Sequence, residues 1–510
     1  MSVSAAVTAI AAAGGTVVGQ NKAVGMFQVR STRSDFATRA AASSALIGAS
    51  PRRPIGRSDP KPAMERPETG LRGGSHHRGV ARLDPLDDKL WGLKMVRAER
   101  ARKIEPGERG VTVGVLDTGL DATNPDIAPN FSFGLSRNFA RDLTDVDGPC
   151  EVASCLDPVG TDDGGHGTHV AGTIGAAANG TGVSGVAPKV TLVELKGGQD
   201  SGYFFLDPVV NALTYAGDVG IDVVNMSFYV DPWLYNCTAN PADTPAAQAE
   251  QRAIITGMRR GLEYAHRHGV TLVGALGNNH EDLGAPRTDV TSPDYPPTTA
   301  YPRPVDNGTC LDLPVEGPHV IGVSALGPSS MKADYSNYGT EQISVSAPGG
   351  YFRDGFGTDS YRTVGNEILS TYPLKVLQEE GLVDADGNVA PVAADSVFKD
   401  CTSSGRCGYY TYLQGTSMAS PHAAGVAALI ISKYGHRDRQ NGGLTMSPNS
   451  VESRLYRTAA EHRCPKPRLQ SYVNVGRPTE FDAYCAGGKN FNGFYGYGIV
   501  DAYNAVRGRK

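Results

Sequence analysis

Residues 111–119 read Val-Thr-Val-Gly-Val-Leu-Asp-Thr-Gly, and this stretch decides the fold class. The run before Asp117 is short, largely apolar and uncharged, which is typical of a strand buried in a parallel sheet. Helix-like segments at 208–216 and 249–268 separate similar runs, which lie at 190–195, 221–225, 270–275 and 320–323. This alternation predicts an α/β fold in which helices cover both faces of a parallel sheet. Functional sites in such sheets collect at the carboxyl ends of the strands.

Two residues near this predicted edge could carry chemistry. Asp117 ends its strand, where a carboxylate is poorly solvated and needs a partner, although it could equally cap a loop or a helix. His166 lies between glycines in Gly-Gly-His-Gly-Thr-His (164–169), which lets backbone or substrate approach closely. A metal pair of His166 with His169 is disfavoured, because a zinc site needs a third ligand and none is nearby in the sequence.

Ser417 and Asn278 also allow two interpretations. Ser417 precedes an apolar helix predicted over 423–431. A helix N-terminus favours developing negative charge, although an isolated serine there is more often a capping residue. Asn278 follows an apolar strand-like run, where its amide could donate to an oxyanion or occupy a turn.

The four residues together form a specific pattern, because three of them lie in recognisable motifs that occur in a fixed order. The motifs are Asp-Thr-Gly at 117–119, His-Gly-Thr-His-Val-Ala-Gly at 166–172 and Gly-Thr-Ser-Met-Ala-Ser-Pro-His at 415–422. In these motifs and their order, the chain resembles the subtilisin-like serine peptidases over roughly residues 86–510.

This resemblance implies a role for each residue. Ser417 would attack the scissile carbonyl, and His166 would take its proton and pass it to the leaving amine. Asp117 would fix the imidazole tautomer, while Asn278 and the Ser417 backbone N–H would hold the oxyanion. Catalysis would need no cofactor.

The resemblance also places a substrate cleft between two backbone segments, 198–202 and 227–229. An extended peptide would bind between them as an added strand. The family usually reads Ser-Leu-Gly in the second segment, and Tyr229 replaces the glycine here. We expect Tyr229 to crowd the cleft or to shift the backbone, which argues against broad specificity. The residues expected to line the cleft are Gly198, Ser201, Gly202, Ser227, Phe228, Tyr229, Ala275 and Gly277.

Residues 1–50 resemble the inhibitory propeptide of this family, a small α+β domain. We expect a helix over 4–13, strands at 16–18 and 23–30 joined by a turn at 19–22, and a helix from Ser34 to about residue 46. Residues 51–85 are rich in Pro, Arg and Gly without an apolar period, as in a linker that is easily cleaved. The catalytic domain is expected over 86–510, with additional segments at 141–163, 229–250, 281–318 and 374–408.

The eight cysteines favour disulfides and therefore an oxidising, extracellular setting, although the N-terminus does not read as a secretion signal. Nearest-neighbour spacing suggests the pairs 150–155, 237–310, 401–407 and 464–485, among 105 possible connectivities. The net charge of −5 gives no reason to expect a nucleic-acid partner, and no apolar run is long enough to span a membrane. We expect a monomer that acts on proteins or peptides and binds its own propeptide.

Family members often bind a structural calcium ion, and the resemblance gives candidate ligands. Asp126 lies nine residues after Asp117, Asn179 lies in a glycine-rich loop, and Asp87 or Asp88 could complete the set. All are oxygen ligands, as a hard cation needs. The alternative is a surface aspartate beside a glycine-rich turn.

Two other functions remain open. A dedicated precursor- or leader-peptide-processing protease of the same fold is favoured by Tyr229 and by the additional segments. An inactive peptide-binding pseudo-protease would require loss of a catalytic residue, and Asp117, His166, Asn278 and Ser417 are all present.

Overall fold

The computed structural model of the chain describes residues 2–49, 84–285, 287–296 and 298–508. The predicted linker 51–85 therefore lies outside the described residues, except for its last two positions.

The N-terminal unit is a helix–hairpin–helix. It comprises α1 (Val3–Ala12), β1 (Thr16–Asn21), β2 (Met26–Arg30) and α2 (Phe36–Ala41), with β1 and β2 antiparallel.

Two details of the prediction for this unit are wrong. Strand β1 continues to Asn21, so the chain turns over 22–25, where Gly25 takes a φ of +68°. Helix α2 begins after Asp35 and ends at Ala41, short of residue 46. Ser43 follows that end, and its hydroxyl accepts the N–H of Ala45 in place of a helical bond.

The remaining chain alternates helices and strands. The helices are α3 (Trp91–Met95), α4 (Ala98–Ala101), α5 (His166–Gly175), α6 (Leu206–Val219), α7 (Pro245–Arg267), α8 (Leu374–Glu379), α9 (Thr416–Tyr434), α10 (Pro448–Thr458) and α11 (Ala502–Val506). The longer strands are β3 (Thr112–Asp117), β5 (Thr191–Lys196), β6 (Val223–Met226), β8 (Thr271–Ala275), β12 (Val320–Leu326), β13 (Ile343–Pro348), β14 (Ile368–Tyr372), β15 (Val397–Cys401) and β16 (Cys407–Leu413). The short strands are β4 (Arg137–Asn138), β7 (Asn236–Cys237), β9 (Arg287–Asp289), β10 (Arg303–Val305), β11 (Cys310–Leu311), β17 (His436–Arg437), β18 (Leu444–Thr445), β19 (Leu469–Gln470) and β20 (Ala483–Tyr484).

A seven-stranded sheet forms the centre of this part of the chain. Its order is β13-β12-β8-β6-β3-β5-β4, and every neighbouring pair is parallel. Each of the five predicted strands is present in it, which confirms the predicted α/β fold with a parallel sheet. Parallel pairing places the carboxyl ends of β3, β5, β6 and β8 at one edge, and this edge carries the site.

Both faces of the sheet are covered, as its largely apolar strands require. Val113 and Val115 of β3 pack with residues of α5 and α9 on one face. Leu116 packs with residues of α6 and α7 on the other face. All three side chains are fully buried, so successive residues of one strand anchor two separate helical layers.

All four predicted disulfides are present. Cys237–Cys310 joins β7 to β11, and Cys401–Cys407 joins β15 to β16. The segment 374–408 contributes β15 to a three-stranded antiparallel sheet with β14 and β16, which the sequence did not predict. Within the described ranges, the helices are too short or too polar to cross a membrane.

Candidate functional site

Asp117 and His166 meet where β3 ends and α5 begins. His166 Nδ1 lies 2.7 Å from Asp117 Oδ1, and Asp117 is fully buried. The second carboxylate oxygen, Oδ2, is buried without a hydrogen bond to any described residue. The imidazole and the N–H of Thr118 (2.8 Å) are therefore the partners of this buried carboxylate.

Burial and charge act in opposite directions on His166. Burial lowers the pKa of His166, while the Asp117 charge, its hydrogen bond and the charge of Asp162 raise it. The net result is a pKa above the ordinary 6.5. The charge of Asp162 thus also favours the protonated form of His166.

Asp162 holds the start of α5, and the sequence reasoning missed it. Its carboxylate accepts the hydroxyls of Thr118 (2.8 Å) and Thr168 (2.6 Å) and the N–H of Gly165 (2.8 Å). It therefore links the loop after β3 to the helix that carries His166. The sequence signal is an aspartate four residues before that histidine. It lies three residues before the N-cap residue Gly165, and its carboxylate still accepts a free N–H of the first helical turn, that of Thr168 (2.9 Å).

Two glycines of the histidine motif are required by close packing. Gly165 has a φ of +83°, and a Cβ there would lie 2.6 Å from the Tyr372 ring. A Cβ on Gly167 would lie 2.1 Å from the carbonyl oxygen of Gly119. The two motifs 117–119 and 166–172 therefore pack backbone against backbone.

Ser417 is the second residue of α9 and exchanges hydrogen bonds with Ser227, just after β6. Ser417 Oγ donates to the Ser227 carbonyl (3.1 Å), and Ser227 Oγ donates to the Ser417 carbonyl (3.1 Å). No hydrogen bond joins Ser417 to His166 among the described residues. Its hydroxyl is directed at Ser227 in this conformation.

Asn278 is exposed, and Thr416 fixes its orientation. Asn278 Oδ1 accepts the N–H (2.9 Å) and the hydroxyl (2.8 Å) of Thr416. A Cβ built on Gly415 would lie 3.5 Å from Asn278 Nδ2 and 3.6 Å from the Ser417 nitrogen. The two nitrogens thus flank one small space, which the absent side chain of Gly415 leaves open.

The segment expected to form the first wall of the cleft is a turn. The N–H of Gly198 donates to the Asp117 carbonyl (3.1 Å), and the N–H of Gly202 donates to the Gln199 carbonyl (2.9 Å). The N–H of Ser201 donates to Asp147 (3.0 Å), from the segment 141–163. A peptide that adds here as a strand must compete with these internal bonds.

The second expected wall is anchored by two aromatic side chains. The Phe228 ring stacks on Phe204 with centroids 4.0 Å apart. The Tyr229 hydroxyl donates to Asp294 (2.5 Å), which lies in the segment 281–318. Ala275 and Gly277 follow on β8 and its loop, next to Asn278. Tyr229 therefore fastens the wall to an additional segment of this chain.

The expected calcium ligands are only partly brought together. Asn179 Nδ2 donates to Asp126 (3.1 Å), whose other oxygen accepts the Tyr410 hydroxyl (2.9 Å). Asp87 instead accepts the N–H and hydroxyl of Ser184, which places it apart from this pair.

The acid that approaches the Asn179 loop is Asp84, which the sequence reasoning did not select. It accepts the N–H of Gly180 and is 2 % exposed, and its Oδ2 has no hydrogen bond within the described chain. Burial is the main reason that the pKa of Asp126 rises to about 7, and the charge of Asp84 adds to it. Two buried acids thus share an oxygen-rich environment.

His169 is not arranged as a metal ligand. Its Nε2 lies 3.0 Å from the Ile368 carbonyl and 3.2 Å from the Thr411 carbonyl. Burial is the main cause of its pKa of about 3, so the ring is neutral at physiological pH. His169 holds α5 against β14 and β16.

Comparison with known proteins matches residues 108–498 to the Subtilase family of peptidases, which is more than half of the chain. The chain belongs to the subtilase family. Like its homologues, this subtilase is a serine endopeptidase. It is 28 % identical to Subtilisin DY of Bacillus licheniformis over 373 residues, which cover 72 % of this chain and 90 % of that protein. It is 30 % identical to Fervidolysin of Fervidobacterium pennivorans, over 69 % of this chain and 39 % of that protein.

Solved structures show the same fold. A lanthipeptide protease aligns with a TM-score of 0.54 at 24 % identity, over 82 % of this subtilase and 95 % of that chain. The epidermin leader peptide processing serine protease of Staphylococcus aureus aligns with a TM-score of 0.56 at 22 % identity, over 84 % of each chain.

The hydrogen bonds of Asp162 predict a large structural contribution. In the Ser417→Ala background, Asp162→Ala should lower the free energy of unfolding by about 2–4 kcal/mol, because it strands several buried donors. Asp145→Ala is the matched control, since Asp145 is an exposed acid of the same 141–163 segment. This control should lower the free energy of unfolding by at most about 1 kcal/mol. Urea denaturation of both variants measures this, and equal costs would contradict the assigned role of Asp162.

Proposed function

We propose that Ser417, His166 and Asp117 form the catalytic triad of this endopeptidase, with Asn278 and the Ser417 N–H as the oxyanion donors. The observation that carries the proposal is the 2.7 Å contact of His166 with a fully buried Asp117 at the sheet edge. The paired donors around the space at Gly415 support the second part. A pseudo-protease is disfavoured, because none of these residues is replaced.

The proposed reaction begins when the Ser417 hydroxyl turns from the Ser227 carbonyl to His166. His166 removes its proton as the oxygen attacks the scissile carbonyl, and the charge that develops on the carbonyl oxygen enters the space between Asn278 Nδ2 and the Ser417 nitrogen. His166 then protonates the leaving amine, which gives an acyl-enzyme that water hydrolyses by the reverse proton transfers. Asp117 keeps the imidazole oriented and stabilises its charged form.

The substrates proposed are proteins or peptides in extended conformation, bound between the 198–202 segment and Ser227–Tyr229.

The protein is also proposed to be secreted. This proposal is supported by the four disulfides, since disulfides persist in oxidising compartments.

Residues 2–49 are proposed to be an inhibitory propeptide. Asn21 Nδ2 donates to Asn211 (2.9 Å) and Thr214 (2.8 Å) of α6, and Arg260 of α7 donates to the Val24 carbonyl (2.9 Å). Val24 is buried among residues of these helices. The unit thus docks on α6, whose N-terminus follows the 198–202 segment.

Asp84, Asp126 and Asn179 are proposed to hold a structural calcium ion. Their oxygen donors fit a hard cation, and the unpartnered Oδ2 of Asp84 supplies a free ligand position. The ion would offset the repulsion between the two buried acids. It would add stability to this loop and take no part in the reaction.

A second candidate is a dedicated processing protease of the same fold. The Tyr229–Asp294 hydrogen bond favours it, because it fixes a bulky side chain where the family commonly has glycine. The names of the two solved neighbours, a lanthipeptide protease and a leader peptide processing serine protease, agree with this idea, but at their level of identity the likeness shows only the fold. Cleavage of a peptide library distinguishes the candidates, since a processing enzyme cuts few sequences and a general endopeptidase cuts many.

The roles proposed for Ser417 and Asn278 predict losses of turnover of different size. Ser417→Ala should lower kcat roughly 10⁵- to 10⁶-fold, because the triad acts as a unit. Asn278→Ala should lower kcat roughly 10²- to 10³-fold with little change in KM, since its bond strengthens in the transition state. Ser420→Ala and Asn279→Ala are neighbouring controls that should stay within about tenfold. Peptidase activity of Ser417→Ala near that of the parent would overturn the assignment.

The raised pKa of His166 predicts the acid limb of the pH profile. A general base must be neutral, so kcat/KM should fall as the pH drops through a midpoint above 6.5. Asp117→Asn removes the charge that raises the pKa and leaves burial, which lowers it. The residual activity of this variant should therefore have its midpoint at lower pH. An acid limb that does not move in Asp117→Asn would contradict this origin of the shift.

The docking of residues 2–49 predicts inhibition in trans. A peptide of residues 1–50 should inhibit the mature enzyme, and Asn21→Ala should weaken inhibition roughly 5- to 30-fold, because two hydrogen bonds to α6 are lost. Lys22→Ala, an exposed neighbour, should leave the inhibition constant unchanged. Equal inhibition by both variant peptides would show that the unit binds elsewhere.

A further inference from the structure

A second group of acids lies where the segment 141–163 meets the 198–202 segment. Asp142, Glu151 and Asp200 each bring a carboxylate oxygen within 4.8 Å of the other two. Oxygens on opposite sides of one calcium ion lie about 5 Å apart, so this spacing suits a shared ion. The group shares no residue with Asp84, Asp126 and Asn179.

The buried side chain of Asp142 is the independent observation that points to a bound cation. Its side chain is 5 % exposed, and its Oδ2 is buried without a hydrogen bond to any described residue. Its position is fixed, because its N–H donates to the Cys155 carbonyl (2.9 Å). A buried carboxylate oxygen without a donor or cation is unfavourable, and a bound cation would supply what it lacks.

The neighbouring side chains do not fill this role. Lys196 Nζ contacts Asp157 (2.8 Å) and Asp200 (2.5 Å), which leaves the second Asp200 oxygen for another partner. Lys375 Nζ lies 2.7 Å from Asp163 and 3.6 Å from Glu151. No ion pair to Asp142 is present in the described part of the chain. Two lysines therefore face six carboxylates, those of Asp142, Asp147, Glu151, Asp157, Asp163 and Asp200.

We propose that Asp142, Glu151 and Asp200 bind a calcium ion that ties the 141–163 segment to the substrate-binding segment. The Cys150–Cys155 disulfide closes the loop that carries Glu151, and Asp147 already bonds the N–H of Ser201. The ion would complete this connection through Asp200, next to Ser201. It would hold one wall of the cleft without touching the residues assigned to the reaction.

Calcium binding to the full chain with Ser417→Ala tests the proposal, because this protein cannot digest itself and the readout needs no peptidase activity. Titration calorimetry with calcium chloride counts the ions, and melting curves in calcium and in chelator measure their effect. Asp142→Asn should bind one calcium ion fewer than the parent, and calcium should raise its melting temperature by less. Asp145→Asn, an exposed acid of the same loop, is the matched control and should behave like the parent.

Melting curves in chelator distinguish a residue that binds the cation from a residue that stabilises the fold directly. The Asp142 side chain accepts no hydrogen bond from the described residues, so Asp142→Asn in chelator should melt no lower than the parent. Glu151→Gln, at a side chain 43 % exposed, gives a second variant that should fold normally and also lose the ion. Asp126→Asn should leave the Asp142-dependent ion in place. Calcium stoichiometry in Asp142→Asn and Glu151→Gln equal to that of Asp145→Asn would overturn the proposal, as would a lower melting point of Asp142→Asn in chelator.

Discussion

The contact between Asp117 and His166 is the interaction on which the site depends. It places a carboxylate at the end of a central strand, out of reach of water, with one imidazole and the N–H of Thr118 as its partners. Such a charge is tolerated only while β3 and α5 keep their relative position. Asp162 and the backbone contact of Gly167 with Gly119 hold them there. The same buried charge raises the pKa of His166 and so links the packing of the sheet to proton transfer.

The other half of the site is held by polar bonds between elements that are distant in sequence. Ser227 ties the end of β6 to the start of α9, and Thr416 orients Asn278 after β8. Ser417, at the start of α9, and Asn278, in the loop after β8, therefore lie at one edge of the central sheet. This arrangement would allow segments 141–163 and 281–318 to vary the proposed cleft walls while the proposed reacting groups keep their positions.

Much of this could be predicted from the sequence. Largely apolar runs identified five of the seven strands of the central sheet, and nearest-neighbour spacing gave all four disulfides. The motifs shared with the subtilisin-like peptidases selected Asp117, His166 and Ser417 as candidates, and Asn278 was selected for its place after a strand-like run. The contacts of Tyr229 with Asp294 and of Asp84 with the Asn179 loop could not be predicted in this way. They join distant segments through single side chains, and neither periodicity nor local spacing carries that information. The end of α2 was missed for a different reason, since the Ser43 hydroxyl competes locally with the helix.

The most direct measurement of the central claim is covalent labelling of the mature enzyme with a fluorophosphonate, followed by peptide mass spectrometry. Such a reagent reacts with a serine only when a base activates it and an oxyanion site accepts the phosphoryl oxygen. The account predicts one label per molecule, on Ser417, and its loss in His166→Ala. A label on another serine, or undiminished labelling of Ser417 in His166→Ala, would contradict it.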